Sequence, residues 1–175
     1  GIICDAELFD LVAQASSLQP GDYASWKPAL SSLVERNIAI KAAIVAADER
    51  ERANTRSLLN FGHTIGHAIE YAAGYGNILH GEAISLGMVA AAHVSARRVG
   101  LSLGEVKRIN AALEAHHLPI ALPADFPRAR IFEALPRDKK FENGRIRFVV
   151  AHEIGRASIS SEVTMDDLRA AVEAL

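Results

Sequence analysis

Residues 60–82 read NFGHTIGHAIEYAAGYGNILHGE, and this stretch decides the fold because it contains two helices and the break between them. His63 and His67 are four residues apart, so a helix places both imidazoles on one face, one turn apart. The segment 74–77, GYGN, ends that helix. The break would let the next helix fold back against the first and bring His80 near the histidine pair.

Helical periodicity extends on both sides of this stretch. We predict seven helices, with approximate ranges 5–16, 28–47, 57–72, 81–99, 103–116, 128–135 and 165–175. Alternation in residues 145–150, a glycine at 155 and a second short run at 157–160 predict one β-hairpin. The predicted fold class is therefore mainly α, a single multi-helix domain over residues 1–175 with one small hairpin. The sequence has no strand–Gly-x-Gly-x-x-Gly–helix unit, so it contains no dinucleotide-binding half of its own.

Bulk composition excludes several classes of protein. A length of 175 residues is enough for one domain with a real core. The net charge of −2 gives no electrostatic reason to expect nucleic acid or an anionic membrane as a partner. Cys4 is the single cysteine, which excludes a disulfide framework and a cysteine-based zinc site. Because there is also no signal peptide and no apolar run of about 18–20 residues, we predict a cytoplasmic protein without a membrane span.

The histidines indicate a metal site. Neutral imidazole is a common ligand of zinc and similar metals, and a catalytic site usually offers three protein ligands and one open position. His63, His67 and His80 would supply three ligands, but two histidines and a carboxylate from elsewhere would do so equally well, and spacing does not choose between these. Gly62 and Gly66 each precede a histidine, and glycine costs a helix roughly 1 kcal/mol relative to alanine. Their presence indicates that another group approaches the backbone closely.

Other polar residues are possible parts of the same site. Those just upstream of the histidines are Lys41, Glu51, Arg56 and Asn60. The basic run 137–140, RDKK, is either a solvated loop or a clamp for an anion such as phosphate. The remaining histidines lie in patterns that favour structural roles: His93, His116, His117 and His152.

Taken together, the motifs resemble one family, the 3-dehydroquinate synthases of the shikimate pathway of aromatic amino acid biosynthesis. The stretches that carry the resemblance are KA (41–42), DERE (48–51), RSLLN (56–60), GHTIGHAIE (62–70), GYGN (74–77), HGEA (80–83), GM (87–88) and DKK (138–140). They cover nearly the whole chain in order, and the histidine motif is highly specific.

The resemblance implies a two-domain enzyme, of which this chain is the helical C-terminal half. The family has an N-terminal NAD-binding α/β domain and uses NAD with a divalent metal, usually zinc or cobalt. Its substrate is 3-deoxy-D-arabino-heptulosonate 7-phosphate, which undergoes transient oxidation, phosphate elimination, re-reduction, ring opening and cyclisation to 3-dehydroquinate. Family members commonly form dimers, so a homodimer is expected at full length.

Roles for single residues follow from the same resemblance. His63 and His80 would be metal ligands, His67 would handle substrate and protons, and Glu51 would be a proton acceptor. The substrate-binding residues would be Lys41, Arg56, Asn60 and either Lys139 or Lys140. A Glu-x-x-Lys motif that supplies the third metal ligand would lie immediately before residue 1, and on this basis we expect the 175-residue chain alone to be inactive.

Rival hypotheses belong to the same enzyme class and to a different one. Related sugar-phosphate cyclases, such as 2-deoxy-scyllo-inosose or 2-epi-5-epi-valiolone synthase, share the histidine motif. An iron-dependent alcohol dehydrogenase shares the two-domain plan, although the Asn60–His63 context and the 138–140 loop argue against it. A non-catalytic helical binding module would require the whole polar constellation to be accidental.

Overall fold

Helices make up most of the structure. The computed structural model describes residues 1–15, 23–47, 55–74, 76–135, 141–142 and 145–175. The α-helices in these ranges are α1 (Ala6–Ala15), α2 (Tyr23–Ala47), α3 (His63–Ala73), α4 (His80–Val99), α5 (Leu103–Ala115), α6 (Arg128–Ala134) and α7 (Met165–Glu173), and a 3-10 helix (Thr55–Asn60) precedes α3. The predicted mainly helical class is confirmed. Within the described ranges, no helix combines the length and the apolar character that crossing a bilayer requires.

An antiparallel sheet packs against the helices. Its strands are β1 (Phe141–Glu142), β2 (Arg145–Glu153) and β3 (Arg156–Val163), in the order β1-β2-β3. The predicted hairpin is β2–β3, and β1 is a two-residue addition that the sequence pattern did not indicate. The first residues of the chain are held on this sheet by hydrogen bonds from Gly155 N to the Ile2 carbonyl (2.8 Å) and from Ala157 N to the Ile3 carbonyl (3.0 Å).

Helix α4 lies at the centre of the core. It contacts α3, α5, α7 and β2, and most of its residues from Ala83 to Ser95 are buried. Four alanines of α4, Ala83, Ala90, Ala91 and Ala92, have 0% exposure. Because a methyl side chain adds little bulk, neighbouring elements can approach α4 from several sides, which explains how one helix contacts so many others.

The predicted continuous helix over residues 57–72 is wrong in its first six residues. The segment begins as a 3-10 helix that ends at Asn60, and α3 begins only at His63. Between them Gly62 has φ 81°, in the left-handed region that glycine reaches without steric cost. The backbone therefore changes direction at Gly62, and the turn makes His63 the first residue of a new helix.

Three glycines bring α3 and α4 into backbone contact. A Cβ added at Gly87 would lie 2.1 Å from the Gly62 carbonyl oxygen and 2.8 Å from Gly66 N. A Cβ at Gly66 would lie 2.7 Å from Ile84 Cδ1 and 3.1 Å from the Ala83 carbonyl oxygen. The close approach predicted from Gly62 and Gly66 is confirmed, and the group that approaches is helix α4. These contacts fix the spacing of the two helices that carry the histidines.

A buried carboxylate joins the end of α4 to α7. The Asp167 side chain has 0% exposure, and its Oδ2 accepts hydrogen bonds from Arg98 Nε (2.6 Å) and Thr164 N (2.8 Å). Arg97 Nε lies 3.1 Å from Asp167 Oδ1. Burial alone would raise the pKa of the Asp167 carboxyl, but the hydrogen bonds from Arg98 and Thr164 outweigh it and hold that pKa below its usual value.

A second carboxylate holds α5 against the hairpin. Glu105 Oε2 accepts from the hydroxyl of Ser102 (2.8 Å), the residue that caps α5, while Oε1 accepts from Ile154 N (2.8 Å) in the β2–β3 turn. The hydrogen bond from Ile154 N is the main cause that holds the pKa of the Glu105 carboxyl below its usual value.

Candidate metal centre

Three histidines meet where α3 and α4 begin. His63 and His67 lie one turn apart on α3, and their ring centroids are 5.4 Å apart. His80, the first residue of α4, has its ring centroid 5.9 Å from that of His63 and 6.0 Å from that of His67. The fold-back of α4 therefore brings His80 to the pair of imidazoles on α3, as the sequence predicted.

Hydrogen bonds assign the proton on two of these rings. His63 Nδ1 lies 3.3 Å from the Phe61 carbonyl oxygen, and His80 Nδ1 lies 3.0 Å from Glu70 Oε1. A carbonyl oxygen and a carboxylate can only accept, so in both contacts Nδ1 is the donor. The lone pair of each neutral ring is then on Nε2, which is the form a histidine needs to bind a metal through that atom.

Glu70 is a component of the site that sequence reasoning quoted in a motif but gave no role. It lies seven residues after His63 and three after His67, so it shares their face of α3. Ligand atoms of His67, Glu70 and His80 all lie within 4.8 Å of one another. The spacing from His63 and His67 was the one signal in the sequence that pointed to Glu70, and it gives the helix face of this residue but not its partner.

The donor set fits a divalent metal of the zinc type. Imidazole nitrogens and a carboxylate oxygen are the ligands that zinc and cobalt take in proteins. The side chains of His80 and Glu70 are 61% and 31% exposed, so an ion and a small molecule can reach them from solvent. The arrangement can therefore hold a metal and leave room for a substrate.

A cavity of about 490 Å³ opens beside His63. Its walls are mostly apolar, and they include Phe61, Ile84 and Met88. Gly1 also lines this cavity, so the start of the chain and a histidine of the candidate centre face the same space.

Comparison with known proteins places this centre in a family. The model of the family described as 3-dehydroquinate synthase C-terminal matches residues 1–141. This chain belongs to that family. The 3-dehydroquinate synthase of Opitutus terrae is 43% identical over an alignment of 176 positions that covers 99% of this chain and 46% of that protein. That of Nostoc sp. is 39% identical over 170 residues, 97% of this chain and 46% of that protein. The chain thus spans about half the length of these curated relatives.

Solved structures of two synthases share the fold of this chain. A 2-epi-5-epi-valiolone synthase from Streptomyces hygroscopicus, with NAD⁺ and Zn²⁺ bound, matches at TM-score 0.80 and 27% identity, over 99% of this chain and 47% of that one. A 2-deoxy-scyllo-inosose synthase, complexed with carbaglucose-6-phosphate, NAD⁺ and Co²⁺, matches at TM-score 0.74 and 21% identity, over 97% of this chain and 51% of that one. The second likeness shows the shared fold alone.

The other predicted site residues differ in where they lie and in how exposed they are. Arg56 and Asn60 are half-buried in the 3-10 helix that leads into His63. Lys41 is exposed on α2, which packs against that 3-10 helix. Three more predicted residues lie outside the described residues: Glu51, Lys139 and Lys140.

Histidines outside the centre have contacts that suit structural roles. His116 Nε2 lies 2.8 Å from the Val12 carbonyl oxygen, which joins the end of α5 to α1. His152 Nε2 lies 2.8 Å from Ser158 Oγ across the hairpin. These contacts agree with the interpretation that neither residue belongs to the candidate centre.

Proposed function

We propose that this chain is the C-terminal domain of a 3-dehydroquinate synthase. The reaction converts 3-deoxy-D-arabino-heptulosonate 7-phosphate to 3-dehydroquinate and phosphate. The observation that carries the proposal is the meeting of His63, His67 and His80, with ring centroids 5.4–6.0 Å apart, in a chain that belongs to this family. A separate N-terminal domain would bind most of the NAD, and the full-length enzyme would be a cytoplasmic homodimer.

His63 and His80 are the proposed metal ligands. In each ring the Nδ1 contact assigns the lone pair to Nε2, as zinc or cobalt coordination requires. The family resemblance gives the third ligand to a glutamate just before the segment that residues 1–5 resemble.

His67 is the proposed proton-handling residue. Its ring is exposed and lies 5.4 Å from that of His63 and 6.0 Å from that of His80. The family resemblance gives this histidine to substrate and proton handling, whereas the distances alone would also suit a ligand. This assignment leaves one histidine of the three for acid–base work, and an imidazole suits that work near neutral pH.

Cationic and amide side chains are proposed to hold the substrate. Arg and Lys neutralise a carboxylate or phosphate, and an amide group binds hydroxyls. The proposed residues are Lys41, Arg56, Asn60 and either Lys139 or Lys140, with Glu51 as a proton acceptor. When bound, the metal would polarise a substrate oxygen and NAD would accept and return a hydride.

A related cyclase is the second candidate. The structural likeness to a 2-epi-5-epi-valiolone synthase at TM-score 0.80 favours it, because that enzyme shares the fold at 27% identity. The curated 3-dehydroquinate synthases are more similar in sequence, at 43% and 39% identity. We therefore rank 3-dehydroquinate synthesis first.

The activity test uses the full-length protein with NAD and zinc or cobalt. We expect phosphate release and 3-dehydroquinate formation from 3-deoxy-D-arabino-heptulosonate 7-phosphate. The same protein should release no phosphate from other sugar phosphates such as glucose 6-phosphate. Turnover of another sugar phosphate without 3-dehydroquinate formation would move the assignment to a related cyclase. Turnover by the 175-residue chain alone would contradict the proposed need for a separate NAD-binding domain.

The metal assignment has its own test. His63→Ala and His80→Ala in the full-length protein should each lower the bound metal, measured by mass spectrometry after gel filtration, to a small fraction of the wild-type content. The matched control is His117→Asn, which removes an exposed imidazole elsewhere at a residue with φ 59°, a conformation that asparagine tolerates. Unchanged metal content in both alanine variants would refute the assignment.

A further inference from the structure

Glu70 is the one carboxylate of α3 that reaches across to α4 beside the histidines. Its Oε1 lies 3.0 Å from His80 Nδ1, and its side chain is 31% exposed. Because Glu70 lies on the face of α3 that carries His63 and His67, its position along the helix relative to both is fixed. The backbone contact of Gly87 with Gly62 fixes the distance between α4 and α3. The packing of these two helices therefore brings the Glu70 carboxylate to the His80 imidazole.

We propose that Glu70 is a positioning residue for the metal ligand His80. By accepting the Nδ1 proton it keeps the His80 ring in the tautomer with its lone pair on Nε2, and it stops the ring from rotating about its side-chain bonds. A hydrogen-bond acceptor in this position also raises the basicity of the metal-binding nitrogen. The inference rests on the proposed function, because it requires His80 to be a metal ligand.

His63 provides an internal comparison. Its Nδ1 contacts the Phe61 carbonyl oxygen at 3.3 Å, so a backbone acceptor orients the ring on α3. His80 begins its helix after an extended residue, Leu79, and its Nδ1 takes a side-chain acceptor instead. Both proposed ligands thus present the same tautomer, one through the backbone and one through Glu70.

Direct coordination by Glu70 is the competing role. The ligand atoms of His67, Glu70 and His80 lie within 4.8 Å, which would suit a cluster around one ion. However, a separation of 3.0 Å between Oε1 and Nδ1 is a hydrogen bond, and a nitrogen that donates a proton has no lone pair for a metal. The geometry therefore favours Glu70 as the partner of His80.

The experiment compares Glu70→Gln with Glu70→Ala in the full-length protein. The glutamine carbonyl still accepts the His80 proton, whereas alanine removes the acceptor. We expect zinc affinity, measured by competition with a chromophoric chelator, to fall by about 10–100-fold in Glu70→Ala. It should stay within about 3-fold of wild type in Glu70→Gln. The visible spectrum of the Co²⁺-loaded protein should change in the alanine variant and be restored in the glutamine variant, which a general loss of stability would not produce.

Each other outcome overturns the inference. Wild-type affinity and spectrum in Glu70→Ala would show that His80 needs no partner. Equal loss in both variants would show that the negative charge or direct coordination matters, not the accepted proton. The control for the loss of a helical glutamate is Glu114→Ala, an exposed residue of α5. His80→Ala separates this inference from the proposed function, since unchanged zinc affinity there would refute the metal site itself.

Discussion

Replacing Gly87 by alanine tests whether backbone contact between α3 and α4 sets the geometry of the centre. The new Cβ would lie 2.1 Å from the Gly62 carbonyl oxygen, 2.8 Å from Gly66 N and 2.9 Å from the Gly62 carbonyl carbon. All three atoms are backbone, so no side-chain rotation relieves the overlap. The helices must separate by roughly 1.3 Å before the Cβ and the oxygen reach ordinary contact, which begins at 3.4 Å.

The expected change in the free energy of unfolding follows from two opposing effects. Overpacking of this kind costs typically 1–3 kcal/mol, and the value should lie near about 3 kcal/mol here because three fixed atoms are involved. Alanine gains about 1 kcal/mol over glycine within a helix. The free energy of unfolding should therefore fall by about 2 kcal/mol, which lowers the melting temperature by roughly 4–8 °C for a chain of this size.

The control is a second glycine of the same helix. A Cβ at Gly81 meets no atom within 4 Å, so Gly81→Ala should leave the melting temperature unchanged or raise it. Thermal unfolding of the purified protein, followed by circular dichroism, measures both variants. Zinc affinity should fall in Gly87→Ala as well, because the same separation moves His80 away from His63. A Gly87→Ala protein that melts like wild type and binds zinc equally well would refute the reasoning.

Two further predictions concern the carboxylates of Asp167 and Glu105. Asp167→Ala should lower the free energy of unfolding by roughly 3 kcal/mol in urea denaturation, because it removes the carboxylate that accepts hydrogen bonds from Thr164 N at the start of α7 and from Arg98. Replacing the exposed Asp166 by alanine should change it by less than about 0.5 kcal/mol. The pKa values of Glu105 and Asp167 are lower in the folded protein, so their stabilisation is complete above the unfolded value of about 4 and is lost as pH falls through the folded values. Urea denaturation from about pH 6 to about pH 3 should show this loss, and Glu105→Gln should flatten the curve; an equally steep fall in that variant would exclude Glu105 as a cause.

The helices and the meeting of the histidines could be predicted because both depend on local pattern. Apolar periodicity marks each helix, and the GYGN break at 74–77 allows the chain to reverse before His80. Gly62 and Gly66 indicated close approach because glycine is unfavourable in a helix without such a reason. These inferences need no knowledge of distant contacts.

The turn at Gly62 and the role of Glu70 could not be predicted, because both depend on contacts between separate elements. Gly62 is compatible with a helix and with a left-handed turn, and only its packing against α4 selects the turn at φ 81°. The partner of His80 depends on how far α4 lies from α3, which no spacing within one helix gives. For that reason the sequence assigns no role to Glu70. Spacing also leaves two sets of metal ligands open, either three histidines or two histidines with a carboxylate.

His63 and His80 are each the first residue of a helix, and this has a consequence for the charge balance of the centre. The start of a helix carries about half a positive charge from its unsatisfied N–H groups. A dication placed at two such starts, with neutral imidazoles as ligands, is repelled by the backbone that positions it. Anionic groups that join the centre must offset that repulsion. An acidic ligand and a negatively charged substrate would complete the compensation, so cation and anion should each strengthen the binding of the other.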